Sequence, residues 1–361
     1  MMLCKGFTGA IKGIDAELIT VEVQADRGVG YHLVGMPDRA VRESQYRIAA
    51  ALKSCGLKMM VKRMTINLTP ADIRKQGTGF DLPIALGILQ SSGQLITDQL
   101  ARLMIVGALS LDGSILPVPG TLSMAKCAMR HGLKGIIVPW ENIQEASLVD
   151  GIEVYGAKHL SQITSFLMGG TWLKPEKPNK IRQSDQRITE VDLSQIRGQM
   201  VAKRVLEISC VGNHHLLMMG PPGVGKTLLA KSVTGILPKM SDQEIQEVTQ
   251  VYSSRLNQVF GILNHQRPFR QPHHHCTNAG MLGGGNPMIP GEASLAHRGV
   301  LYLDELPEFK KSVLEGLRQP LESQKIILAR GSYHIELPAS FTLIASMNPS
   351  PFRSIGETES N

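Results

Sequence analysis

Ile19, Val21, Val23 and Ala25 are apolar at every second position with polar neighbours between them, the period of a half-buried strand. Pro37 opens a helical stretch in which Val41, Ser44, Ile48 and Leu52 share one face, and Gly56 supplies its C-terminal stop. Met64, Ile66 and Leu68 alternate in a second strand that Pro70 ends. Residues 81–89 read as a buried helix after a loop holding Gly77 and Gly79, 103–109 as a short apolar strand, 123–130 as a helix, and 136–138 as a strand before Pro139. Together these predict a mixed α/β domain over residues 1–168.

The periodicity is lost at residues 169–190, GGTWLKPEKPNKIRQSDQRITE, which hold two prolines and several basic residues and read as a solvated linker. Its Lys174, Lys177, Lys180 and Arg182 can add nonspecific attraction to DNA. From Val191 the pattern is β/α: a helix at 202–210, a strand at 215–219, a helix at 227–235, and strands at 300–303 and 341–346. Strands alternating with helices predict a mostly parallel sheet.

Composition narrows the class without naming it. Of 361 residues, 42% are hydrophobic, as in an ordinary globular protein, but aromatics make up only 4%, so packing relies on aliphatic side chains and on 17 Met. The net charge of +7 suits an acidic polymer such as nucleic acid as well as a plain solvated surface. Five scattered cysteines with no CxxC pair argue against a disulfide scaffold and against a cysteine-built zinc site. The start MMLCKGFTGAIKG has no apolar core of a signal peptide, and no run approaches a membrane span, so a cytoplasmic location with no membrane partner is expected.

The sequence GPPGVGKT fits G-x-x-x-x-G-K-[ST] at every fixed position: Gly220, Pro221, Pro222, Gly223, Val224, Gly225, Lys226 and Thr227. LLMM before it reads as a strand and LLAKSV after it as a helix. Glycines let the backbone wrap phosphate oxygens, and the N–H groups at the helix start point at the anion. Lys226 then serves the β- and γ-phosphates of ATP, and Thr227 offers a hydroxyl to Mg²⁺. A Gly/Pro-rich turn that merely contains Lys is the bland alternative, and the strand, loop and helix in register argue against it. GVLYLDEL delivers Asp304 and Glu305 to the end of an apolar strand: Asp304 for the metal's shell, Glu305 to polarise the attacking water. An exposed acidic turn is the alternative, weakened by the phosphate loop. Asn348 ends the strand FTLIASMN, where a polar side chain can sit between the two motifs, or simply begin a turn before Pro349.

Those motifs lie in longer stretches that resemble one family. RPFRQPHHHCTNAGMLGGGNPMIPGEASLAHRGVLYLDELPEF, NLTPADIRKQGTGFDLPIALGIL and DLSQIRGQMVAKRVLEISCVGNHHLLMMGPPGVGKT look like the YifB/ComM family of magnesium-chelatase-like AAA+ proteins. The resemblance runs over nearly the whole chain. It implies a Lon-protease-like α/β domain (1–168), the linker (169–190) and a P-loop AAA+ core (191–361) with a mostly parallel sheet. It also implies an ATP-driven hexameric ring and, for the competence branch, DNA branch migration during transformation. In AAA+ terms Asn348 is then sensor 1. A chelatase motor for metal insertion into porphyrin is the rival reading, favoured less because such motors resemble only the AAA+ part.

Two departures qualify the resemblance. Against the Lon nucleophile loop, Gly79 stands where the serine would be, and Leu122 or Ser123 falls at the lysine position with Lys126 displaced, so no peptidase activity is expected. After MNP the chain reads SPFRSIGETESN, where the family continues into a lid, a sensor 2 region and a trans-acting arginine. A truncated form that binds ATP and turns it over poorly, or not at all, is therefore expected. Arg267, Arg270 and Arg298 flank the insert and can meet phosphates of DNA or of a neighbour's ATP, or serve only as solvated charges, which one sequence does not separate. Three consecutive histidines, His273, His274 and His275, invite a metal reading but cannot easily face one ion, so a role in the insert loop, touching DNA or a neighbouring subunit, is preferred, with a plain surface loop as the alternative; Gly283, Gly284 and Gly285 make that loop flexible.

Overall fold

The computed structural model describes residues 3–60, 62–170, 173–176, 191–255, 266–286, 288–330 and 333–349. Most of the basic linker, with Lys177, Lys180 and Arg182, and the closing SPFRSIGETESN lie outside them. The chain divides into two compact units, 1–181 with 253–263, and 182–252 with 264–361.

The first unit contains β1 (Leu3–Lys12), β2 (Asp15–Asp26), β3 (Gly30–Val34), α1 (Arg39–Arg42), α2 (Ser44–Ser54), β4 (Arg63–Thr69), α3 (Asp81–Ser91), β5 (Leu103–Ile105), β6 (Ala108–Leu109), β7 (Ile115–Leu116), α4 (Thr121–Arg130), β8 (Gly135–Pro139), α5 (Ile143–Ala146), β9 (Glu153–Ala157) and α6 (Leu160–Leu167). Its sheet runs β3-β4-β2-β1-β5-β8-β9. The β1–β2 and β2–β4 pairs are antiparallel and the remaining four are parallel. Strand alternation assigns the two cores. Ile105, Ile137 and Tyr155 pack with α2, α3 and α6, whereas Met104, Ile136, Val138 and Val154 pack with α4 and α5.

The predicted face Val41, Ser44, Ile48 and Leu52 is buried, although α1 and α2 divide at Glu43 and the cap is Asp38, not Pro37. The Asp38 carboxylate accepts from the Val41 N–H at 2.8 Å, satisfying one of the helix's orphan donors. The apolar run 103–109 is two elements rather than one strand, because the chain leaves the main sheet at Val106 and Gly107 to begin the β6–β7 hairpin.

The second unit contains α7 (Met200–Gly212), β10 (Leu216–Met219), α8 (Lys226–Ile236), α9 (Asp242–Ser253, its last residue assigned to the first unit), β11 (Phe269–Arg270), α10 (Asn278–Leu282), β12 (Gly283–Gly284), β13 (Ile289–Pro290), α11 (Glu292–Leu295), β14 (Val300–Leu303), α12 (Lys311–Gly316), α13 (Arg318–Ser323), β15 (Lys325–Arg330), β16 (Tyr333–Pro338) and β17 (Thr342–Met347). Its main sheet, ordered β10-β17-β14-β11, is wholly parallel as expected. Val300 and Tyr302 of β14 and Ile344 of β17 pack under Leu206 of α7 and Leu229, Ala230 and Val233 of α8. Leu301 and Leu303 point to the opposite face and are also fully buried, so β14 is a central strand covered on both sides. Among the described residues no helix is long and apolar enough to cross a membrane.

Candidate functional site

All four parallel strands deliver their carboxyl ends to one edge, the edge at which open α/β sheets bind ligands. Residues 220–225 follow β10, Asp304 and Glu305 follow β14, Asn348 follows β17, and the His273–His275 segment lies just beyond β11. Because β17 lies between β10 and β14, Asn348 stands between the glycine-rich loop and the acid pair.

The loop turns where its sequence permits it. Gly223 and Gly225 take φ of 82° and 88°, left-handed values that side-chain-bearing residues rarely adopt. Gly225 is the N-cap of α8, so Lys226 and Thr227 open an eleven-residue helix whose first N–H groups have no intrahelical acceptor. That end carries the positive pole of the helix and suits a phosphate anion.

The loop, the acid pair and the strand-end amide are joined by side-chain contacts. Lys226 Nζ donates to Gly220 O (2.6 Å), Pro221 O (3.0 Å) and Asn348 Oδ1 (2.9 Å), which uses all three of its protons on neutral oxygens. Thr227 Oγ1 donates to Asp304 Oδ2 at 3.0 Å. Ser346 Oγ donates to Asp304 Oδ1, and the Glu305 N–H donates to the same oxygen at 3.1 Å. Tyr302, fully buried, reaches Ser346 Oγ at 3.1 Å and Thr227 Oγ1 at 3.4 Å. Burial acts to raise the Asp304 pKa, but the donors from Ser346, Thr227 and Tyr302 and the Glu305 N–H outweigh it and hold the carboxyl below its ordinary 3.8. Asp304 is thus an anion at neutral pH, beside a hydroxyl, which is the oxygen donor set Mg²⁺ takes.

Glu305 differs from its neighbour. Its side chain is exposed, and its backbone sits at φ 53°, ψ 53°, the left-handed region that costs a non-glycine residue roughly 1–2 kcal/mol. Strain of that kind clusters at functional sites. Its Oε2 lies 3.7 Å from His274 Nδ1.

The structure therefore brings the sequence-predicted residues to one sheet edge and adds two that sequence reasoning missed. Tyr302 and Ser346 each lie two residues before a predicted site residue, Asp304 and Asn348, so strand alternation was the signal that places them on the same face. The approach of His274, already singled out, to Glu305 could not be found that way, since it depends on β11 pairing with β14.

The insert arginines are neither plain solvated charges nor unpartnered. Arg267 makes a two-pronged contact to Glu244 (3.1 and 3.0 Å) and also binds Pro238 O and Arg298 O. Arg270 grips Glu292 through two bonds of 2.6 and 2.9 Å, and Arg298 Nε binds Glu247 at 2.8 Å. All three are paired with carboxylates of their own unit and brace the segments that carry them.

A phosphate-loop motif on a parallel sheet, an acid pair two strands away and a polar side chain on the strand between them are the layout of an AAA+ module, and comparison with known proteins gives its type as magnesium-chelatase-like. The profile described as magnesium chelatase, subunit ChlI, matches residues 192–361, and a second, subunit ChlI of Mg-chelatase, matches residues 21–142. The chain is 43% identical to competence protein ComM of Haemophilus influenzae over 97% of its length and 69% of the relative's. It is 43% identical to the protein YifB of Escherichia coli over 95% of its length and 67% of that protein's. The chain belongs to the ComM/YifB family. The chain also has a likeness to Lon protease 2 of Bacillus subtilis, 27% identical over 36% of this chain and 24% of that enzyme.

Proposed function

We propose that the chain binds Mg-ATP at the edge formed by residues 220–227, Asp304, Glu305 and Asn348, and hydrolyses it. The observation that carries this reading is the 3.0 Å contact of Thr227 with Asp304, which joins the two motifs at one point. The loop N–H groups and the Lys226 ammonium receive the phosphates. Thr227 and Asp304 hold Mg²⁺, which when bound neutralises charge developing on the β- and γ-oxygens. Glu305 orients and polarises the attacking water, and Asn348 fixes water or γ-phosphate from the strand between. Calorimetry with ATP and a phosphate-release assay test this together. Uptake abolished in Lys226→Ala, and uptake kept with no release in Glu305→Gln, are expected. Uptake without release in the parent chain would reduce it to a binding protein, and absence of ATP and ADP uptake would end the reading.

The finer reading is a cytoplasmic, ring-forming motor that works on DNA, as branch migration in transformation requires. The printed name of the Haemophilus relative, the net charge of +7 and the exposed Met200, Val201, Val205, Ile208 and Val211 of α7, an apolar surface suited to self-assembly, support it. Salt-sensitive binding to branched DNA and ATP-dependent movement of a synthetic junction test it. The ChlI profiles support a second reading, an ATP-driven motor for metal insertion into porphyrin. The Lon-like unit favours the first.

A further inference from the structure

We infer that His273, His274 and His275 form a transition-metal site of the zinc class, whose occupation restrains Glu305. Three consecutive histidines do not converge in an extended chain. Here the Cys276 N–H donates to His273 O at 2.8 Å, closing a four-residue turn that folds the three rings onto one another. The ring centroids are 4.1, 4.4 and 5.1 Å apart, and one ligand nitrogen from each ring lies within 4.8 Å of the others. Nitrogens bound to one tetrahedral zinc at about 2.0–2.1 Å stand about 3.4 Å apart, so modest side-chain rotation on an exposed turn completes the site.

The donor set selects the metal. Three imidazoles suit Zn²⁺, Co²⁺ or Ni²⁺, whereas Mg²⁺ prefers the oxygens of Thr227 and Asp304, so the two sites take different ions. His273 Nδ1 already accepts from the His275 N–H at 3.2 Å, which leaves its Nε2 as the ligand atom. His274 is half-buried, stands edge-on to Phe309 and has Nδ1 3.7 Å from Glu305 Oε2. With metal on His274 Nε2, its Nδ1–H is directed to a carboxylate, the arrangement that commonly fixes metal-bound histidines. That contact engages the carboxylate assigned to water. The coupling rests on the proposed role of Glu305, but the metal site does not.

The test uses the full chain stripped of metal. Zn²⁺ is titrated against a chromophoric chelator and Co²⁺ is followed by its visible absorption, in the parent, His273→Ala and His275→Ala. One equivalent bound by the parent, and affinity about tenfold or more weaker in both variants, is expected. Uptake unchanged in both variants overturns the site. Zn²⁺ is also expected to slow phosphate release about tenfold in the parent while ATP uptake is unchanged, and to leave His275→Ala unaffected. Histidine-dependent uptake that leaves release unaltered overturns the restraint on Glu305 and upholds the site. Absence of release from the metal-free parent contradicts the proposed hydrolysis instead, and the chelator titration still decides the metal site.

Discussion

The Thr227 hydroxyl donates to Asp304 Oδ2 at 3.0 Å, tying the first turn of α8 to the end of β14. Two segments more than seventy residues apart in sequence thus present one pair of hard oxygens. Thr227→Ala removes one of them and deprives Asp304 of a donor that helps keep it ionised. Loss of such a contact at a metal site costs about 10–100-fold, so ATP turnover at limiting Mg²⁺ falls by that factor. Thr227→Ser keeps the hydroxyl and recovers most of it. Magnesium titrations of phosphate release check this, and an alanine variant with the parent's magnesium dependence would remove Thr227 from the metal.

Glu305 is held in the left-handed region with its carboxylate exposed. Glu305→Gln retains ATP uptake and stops phosphate release, by about 10³-fold if the carboxylate is the group that polarises water. Glu305→Gly separates strain from chemistry. It also stops release, yet melts no lower than the parent, because glycine adopts this backbone without the penalty of about 1 kcal/mol. Thermal melts beside phosphate assays decide it; hydrolysis at the parent rate in the glutamine variant would sink the assignment.

Much of the site was legible in the chain because a phosphate loop and a strand-end acid pair are written in contiguous residues. Strands with clean alternation, such as β2 and β4, were legible for the same reason, since one face is buried and the other is not. β1 was not: Thr8, Gly9 and Ala10 are buried in succession, because the strand lies in the middle of the sheet with cover on both faces. Nor can a continuous apolar run reveal that β5 stops at Ile105, since the break is set by what the next residues pair with. The carboxylate partners of Arg267, Arg270 and Arg298 share that limit, because Glu244 and Glu247 lie on α9 and Glu292 on α11, and local pattern does not say which helix packs beside which segment.

In the first unit, Arg47 of α2 grips Asp81 of α3 through bonds of 2.6 and 2.8 Å. Asp81 is fully buried, and desolvation pushes its pKa up even though the guanidinium pulls it down. The pair holds α2 against α3 where both cover the sheet. Removing Asp81 leaves the partly exposed Arg47 without its carboxylate and the buried Leu109 N–H without its acceptor, so Asp81→Ala costs about 1–3 kcal/mol by denaturant unfolding. A paired replacement, Arg47→Met with Asp81→Leu, leaves no orphaned charge and recovers much of that loss. If the double variant is no more stable than Asp81→Ala, the penalty comes from lost packing rather than from an unpaired charge.

His297 gives the second unit a specific acid sensitivity. Its Nδ1 accepts the Ser340 N–H at 3.1 Å and its Nε2 lies 3.3 Å from Glu247 Oε2, so the proton of the neutral ring sits on Nε2. Protonation at Nδ1 would set N–H against N–H. Burial first, and the Arg298 charge second, lower its pKa from 6.5 to about 4, against the opposing pull of Glu247 and Glu244. Between those values the unfolded chain binds a proton that the folded chain refuses, so stability falls as pH drops through this window and is intact above it. The full shift is worth roughly 3 kcal/mol. Urea unfolding at pH 7 and pH 4.5 measures the slope. His297→Asn keeps an acceptor near Ser340 and has no titrating ring, so its slope is shallower by the histidine's share. Equal slopes in the two proteins would mean that other groups, with Glu244 and Glu247 the nearest, carry the whole acid response.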